Sequence, residues 1–97
     1  VSDVPTEFAL QQNYPNPFNP STSVSYALPA PGEVRIAVFN VLGEQVASLV
    51  NGAQEAGYYT VQWNGTDNRG QQVTSGVYFL TMHAGEFTAM KKMMLVK

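Results

Sequence analysis

Apolar and polar residues alternate with a period of two along this chain, in short runs that turn residues keep interrupting. Val24, Tyr26 and Leu28 alternate with Ser23, Ser25 and Ala27. Val34, Ile36 and Val38 alternate with Arg35, Ala37 and Phe39, and Tyr59, Val61 and Trp63 with Tyr58, Thr60 and Gln62. A strand turns successive side chains to opposite faces, so each run reads as a half-buried strand. No apolar pattern of helical period lasts beyond a turn or two. Pro29-Ala30-Pro31-Gly32, Val41-Leu42-Gly43-Glu44 and Ala84-Gly85-Glu86 separate the runs as turns, with Gly43 expected at positive φ.

The runs are organised around one polar corner. Trp63, the only tryptophan, ends a strand and is the largest apolar body on offer to a small core. Asn64-Gly65 and Asn68-Arg69-Gly70 tolerate the φ values that sharp reversals need. Val77-Tyr78-Phe79-Leu80 then reads as a buried strand starting after Gly76.

The remaining segments fill in the pattern. Residues 1–7 have no periodicity and read as a linker end, followed by one domain over residues 8–97. Asn13-Tyr14-Pro15-Asn16-Pro17-Phe18-Asn19-Pro20 excludes a helix and a central strand. It is expected as an extended loop sealing one end of the body, with Tyr14 and Phe18 tucked in. Residues 45–50 alternate imperfectly, which predicts a bulge or an edge position, and residues 51–57 read as a long polar connection. In the last run, 87–96, each face carries one lysine among apolar groups; the expectation is Met90, Met94 and Val96 inward. With a short strand at 8–11, the count is seven. Short strands at this spacing predict an all-β, seven-stranded antiparallel immunoglobulin-like β-sandwich, with a small closed barrel as the alternative.

Composition sets the limits on chemistry. The 97 residues make one small domain, and a 44% hydrophobic share suffices for one core. Only 12% are charged, and the net charge of -2 with five Lys and Arg argues against nucleic-acid binding. No apolar run is long enough to span a membrane. Without cysteine there is no disulfide framework, thiolate metal site or thiol nucleophile. His83 stands alone, the serines form no nucleophile elbow, and the acids are scattered, so no enzyme activity and no cofactor are expected. Asn64, Asp67 and Asn68 offer a calcium ion one carboxylate only, so that turn reads as side-chain-stabilised with no metal. Tyr58, Tyr59 and Trp63 could make a sugar-stacking platform, but alternation sends Tyr59 and Trp63 to the core. The opening residues are not a basic-then-apolar leader; a leader for export would belong to a parent chain.

The motifs resemble the type A C-terminal sorting domain of the type IX secretion system, over residues 8–97. They are Leu10-Gln11-Gln12-Asn13-Tyr14-Pro15-Asn16-Pro17-Phe18-Asn19-Pro20-Ser21-Thr22, Tyr26-Ala27-Leu28-Pro29, Val38-Phe39-Asn40-Val41-Leu42-Gly43, Gly57-Tyr58-Tyr59 and Trp63-Asn64-Gly65. Asp67, Gly70, Ser75-Gly76-Val77-Tyr78-Phe79 and the ending Lys91-Lys92-Met93-Met94-Leu95-Val96-Lys97 complete the match. The core pattern is also similar to the immunoglobulin-like domain of the flagellar hook-capping protein.

The resemblance implies a domain that ends a secreted protein of Bacteroidetes and folds in the periplasm. It implies recognition by the outer-membrane type IX translocon, which takes the upstream cargo domain on the same chain to the cell surface or medium. It implies removal by a sortase-like peptidase that attaches the cargo to surface lipopolysaccharide, although residues 1–7 contain no clear cleavage motif. Mapped onto this chain, the recognised residues are Gly76, Tyr78, Lys91, Lys92, Val96 and Lys97. A terminal edge strand can be read by strand addition and its lysines by an acidic partner, or the lysines simply protect the edge. The competing readings are an accessory carbohydrate-binding or adhesive module and an assembly domain like the hook cap.

Overall fold

The computed structural model describes residues 4–96, so residues 1–3 of the expected linker and Lys97 of the expected recognition set lie outside the described residues. Seven strands form: β1 (Ala9–Leu10), β2 (Thr22–Leu28), β3 (Gly32–Phe39), β4 (Gln45–Gln54), β5 (Gly57–Trp63), β6 (Gly76–Ala84) and β7 (Phe87–Leu95). They pair antiparallel in two sheets of order β1-β2-β5 and β4-β3-β6-β7, an immunoglobulin-like sandwich with no helix among the described residues. The inward residues of the alternating runs meet between the sheets: Val24, Tyr26 and Leu28 face Val34, Ile36, Val38, Leu80 and Met82 in one core.

Trp63 closes that core at one end. It packs at 5.5 Å from Phe18 and edge-on to Tyr78 at 5.4 Å, and its indole N–H donates to the Thr66 carbonyl at 2.8 Å. The donor buried with this ring is therefore satisfied by the corner that follows it. Gly65 is required at that corner by φ of 72° and by space, because a Cβ would stand 3.1 Å from the Pro20 carbonyl oxygen. Asp67 Oδ1 accepts the backbone N–H groups of Arg69 and Gln71, the side-chain-stabilised turn expected from the sequence.

Three local expectations are corrected. β4 does not stop near Val50 but runs to Gln54, leaving Glu55 and Ala56 as the connection. β3 offers it a ladder as far as Gly32, and Gln54 turns its amide oxygen to the Tyr26 hydroxyl at 2.6 Å. The expected irregularity of β4 is present, as two register shifts against β3. Tyr14 is not tucked in; it is 81% exposed, whereas Phe18 is 1% exposed. The backbone of Tyr14 bridges Ser23, which sends Asn13 inward and the next side chain outward. Asn13 is buried and donates to Thr22 Oγ1 and the Pro15 carbonyl.

The third correction concerns β7. Met90, Met94 and Val96 are exposed, and Met93 and Leu95 are buried. Register decides the matter: Tyr78 is paired with Met93 and Gly76 with Leu95, so the odd-numbered residues share the core side of β6. This places Lys91, opposite Leu80, on the inner face. Lys91 is only half-buried there, as an edge strand permits, because a lysine at an edge can cover apolar surface with its stem and keep its ammonium in water.

Candidate docking face on the four-stranded sheet

The residues expected to form a recognition set do not share one surface. Tyr78 is a core residue whose hydroxyl donates to the Thr74 carbonyl at 2.6 Å, so a partner of the folded domain cannot touch its ring. Gly76 begins β6 with φ of 148°, a conformation that side chains disfavour, although a Cβ there would meet nothing within 4 Å. Its requirement is conformational. Lys91 is half-buried on the inner face of β7, while Lys92 and Val96 are exposed on the outer side.

The edge of β7 is also not open for strand addition along its last residues. The proline-rich segment lies against it as a strap. Phe18 N–H donates to the Met94 carbonyl and Val96 N–H donates to the Phe18 carbonyl, both at 2.9 Å. Asn16 Oδ1 accepts from Met94 N–H at 3.0 Å, and the Gln12 amide donates to the Lys92 carbonyl at 2.8 Å. Phe18, held in the core, anchors the strap.

What remains accessible on β7 is its outer side-chain face. The outward residues of adjacent strands stand in rows: Phe39, Phe79 and Lys92; Ala37, Thr81 and Met90; Val77 and Met94. Most of the large hydrophobic side chains left exposed among the described residues gather here or at the neighbouring hairpin and strand end: Val41, Leu42, Met90, Met94 and Val96. Phe39, Val41, Phe79, His83 and Met90 line a shallow groove of about 350 Å³. Exposed apolar side chains gathered in one area make this face a candidate interaction surface. Arg35 and Lys92 border it with positive charge, and no acidic side chain lies on β6 or β7.

Sequence reasoning named Lys92 and Val96 as recognition residues but turned Val96 and the methionines beside it inward, because equal lysine counts hid which face was inside. Val41 and Leu42 did carry a signal: two apolar residues in a hairpin turn have no core to fill. Elsewhere, Trp63 is buried and Tyr59 is half-buried against Tyr26, leaving Tyr58 as the exposed aromatic of β5. Among the described residues no three His, Asp or Glu side chains come together in a way that could hold a metal ion. Among the described residues no helix is long and apolar enough to cross a membrane.

A family model of the FlgD Ig-like domain matches residues 17–86. No curated protein matches the chain. Among solved structures it is similar to dimeric latent PorU from Porphyromonas gingivalis, at 17% identity and a TM-score of 0.68, over 99% of this chain and 10% of that one. It is also similar to PorZ, an essential bacterial surface component of the type-IX secretion system of Porphyromonas gingivalis. That match has 19% identity and a TM-score of 0.58, over 93% of this chain and 11% of that one. The chain thus spans about a tenth of each, and at these identities what is shared is the fold. Of the resemblance read from the motifs, the immunoglobulin-like architecture is borne out. By its match over most of its length, this chain belongs to the FlgD Ig-like domain family.

Proposed function

We propose that this domain is a non-catalytic sorting signal. It directs an attached cargo protein across the outer membrane through the type IX secretion system, to the cell surface or medium by way of the periplasm. The observation that carries the reading is the apolar, lysine-bordered outer face of β7 and β6, on a fold shared with a surface component of that system. The face offers the translocon Met90, Met94 and Val96 as apolar contacts and Lys92 as a point charge. Partners of matching chemistry are apolar surfaces bordered by carboxylates, because charge complementarity directs encounter and register while burial supplies affinity. Strand addition at the end of β7 is not part of this reading, since the strap already holds those groups. A sortase-like peptidase that removes the domain after passage fits the same route.

The test fuses residues 1–97 to a periplasmic reporter in a host with an active type IX system. The triple variant Met90→Thr, Lys92→Gln, Met94→Thr changes only outward side chains, so its melting temperature should stay close to that of the parent. Export should fall severalfold. A folded triple variant exporting at the parent rate would remove this face from recognition, and an intact domain that exports nothing would remove the sorting function itself.

A further inference from the structure

β5 ends the three-stranded sheet, and its far side has no partner strand among the described residues. Which backbone groups face outward follows from β2. Ser25 O accepts from Gln11 N–H, and Ser23 exchanges both its backbone bonds with Tyr14. The odd-numbered residues of β2 thus turn their amides away from β5, and Val24, Tyr26 and Leu28 turn theirs towards it. Their partners are Val61, Tyr59 and Gly57. Tyr58, Thr60 and Gln62 consequently point an N–H and a C=O each away from the sheet, and no backbone bond among the described residues takes them up.

Unpaired edges are ordinarily blunted by lysine, proline, a bulge or a covering loop. β7 has two lysines and the strap, and β4 has two register shifts and a clip from Asn68 to Val46 and Ser48. Among the described residues β5 has no lysine, proline, bulge or strap; Pro5, Thr6 and Glu7 line a cavity with Tyr58, Tyr59 and Thr60 but make no backbone bond to its edge. Its seven residues carry no charge and no proline, and its ladder to β2 is regular.

We propose that the β5 edge is a self-association surface, at which two copies of this chain pair antiparallel about a two-fold axis through Thr60. This surface is separate from the docking face on the other sheet and does not depend on the sorting role. An axis through Thr60 sets Thr60 against its own copy and Tyr58 against Gln62, so all the outward groups of both strands find partners at once. The uncharged strand meets its copy without like-charge repulsion, and Thr–Thr pairs across strands are favourable. Tyr58, 67% exposed, covers part of the neighbouring strand. The contact is one strand wide and buries far less than the roughly 1,200–2,000 Å² of stable complexes, so the dimer is weak and concentration-dependent.

The experiment measures sedimentation velocity and backbone amide exchange of the 97-residue chain at increasing concentration. The expected result is a monomer–dimer equilibrium in which the amides of Tyr58, Thr60 and Gln62 gain protection with concentration, while those of Tyr59 and Val61 are protected throughout. Thr60→Pro removes an outward N–H only, so it should keep the parent circular dichroism and remain monomeric. Val61→Pro removes an inward N–H and should unfold the sheet. If Thr60→Pro disturbs folding, Thr60→Lys replaces it, placing two ammonium groups face to face across the axis. A chain that stays monomeric at millimolar concentration, a dimer that persists in folded Thr60→Lys, or concentration-dependent protection on β7 instead would each overturn the proposal.

Discussion

β5 and β7 are both edge strands of one small sandwich, and they are managed in opposite ways. β7 is covered along its last residues by the strap and carries a lysine on each face. β5 carries no charge, no strap and no bulge. The difference shows that an edge is closed or open according to what lies beside it in space. The strap reaches β7 because Phe18 enters the core next to Trp63, although the two segments stand at opposite ends of the chain. No residue within β7 records that protection.

The largest expected effect breaks the strap. Phe18→Ala should cost about 3–5 kcal/mol, the range for a buried large aromatic. In a domain of this size that approaches the whole stability, which is about 5–15 kcal/mol. Denaturant midpoints would show the loss, and the amides of Phe18 and Val96 should lose protection before the rest of β7. Trp63→Ala should cost about as much, and because the two rings touch, the double variant should cost less than the sum. Additive losses would mean that strap and corner are independent supports.

Next in size is Asn13→Ala. Asn13 is buried, and its amide satisfies Thr22 Oγ1 and the Pro15 carbonyl. Thr22 Oγ1 still donates to the Pro15 carbonyl at 2.8 Å in the variant, so the loss should be about 0.5–1.5 kcal/mol, the net worth of ordinary hydrogen bonds. A value near zero would show that water replaces the side chain and that Phe18 alone holds the strap.

The contrast between the edges also explains what the sequence could tell. Strand count, most turn positions, the corner at Trp63 and the inward faces of β2, β3 and β5 were legible, because there one face of each strand is continuously apolar. β7 was ambiguous because its inner face carries Lys91, which only an edge position permits. The reach of β4 was hidden because its last residues are polar and a polar outer face resembles a loop. Of the expected recognition residues, Lys92 and Val96 are surface features. Tyr78 recurs in the motif for a different reason: its ring braces Trp63. The motif mixed residues that build the fold with residues that can be read from outside, and spacing cannot separate them.

A smaller effect tests the sheet that β5 closes. Burial raises the pKa of the Tyr26 hydroxyl, the hydrogen bond to Gln54 lowers it, and the neighbouring Tyr59 raises it, with a net upward shift. The neutral phenol is therefore favoured in the folded state. The associated stability is fully present below the unfolded value of about 10 and is lost as pH rises through the raised value. Melting temperature should fall above about pH 10 in the parent, and Tyr26→Phe should flatten part of that decline. An unchanged alkaline limb in Tyr26→Phe would assign the decline to other groups.

The smallest effects separate the two lysines of β7. Lys92 is exposed, so Lys92→Gln should change stability by about 0–1 kcal/mol. Lys91 faces inward, half-buried, opposite Leu80. Lys91→Leu should raise stability by about 1 kcal/mol, since a fully buried leucine contributes about 1.5–3 kcal/mol and this site is only partly covered. It should also remove a guard from the stretch of β7 ahead of the strap, where the outward amides of Thr88 and Met90 have no backbone partner among the described residues. The expected variant is thus more stable to denaturant yet more prone to associate, with new concentration-dependent protection at Thr88 and Met90. If Lys91→Leu gains stability and associates no more than the parent, the strap and strand twist suffice to close β7. The absence of a strap, and not the absence of charge, would then be what distinguishes β5.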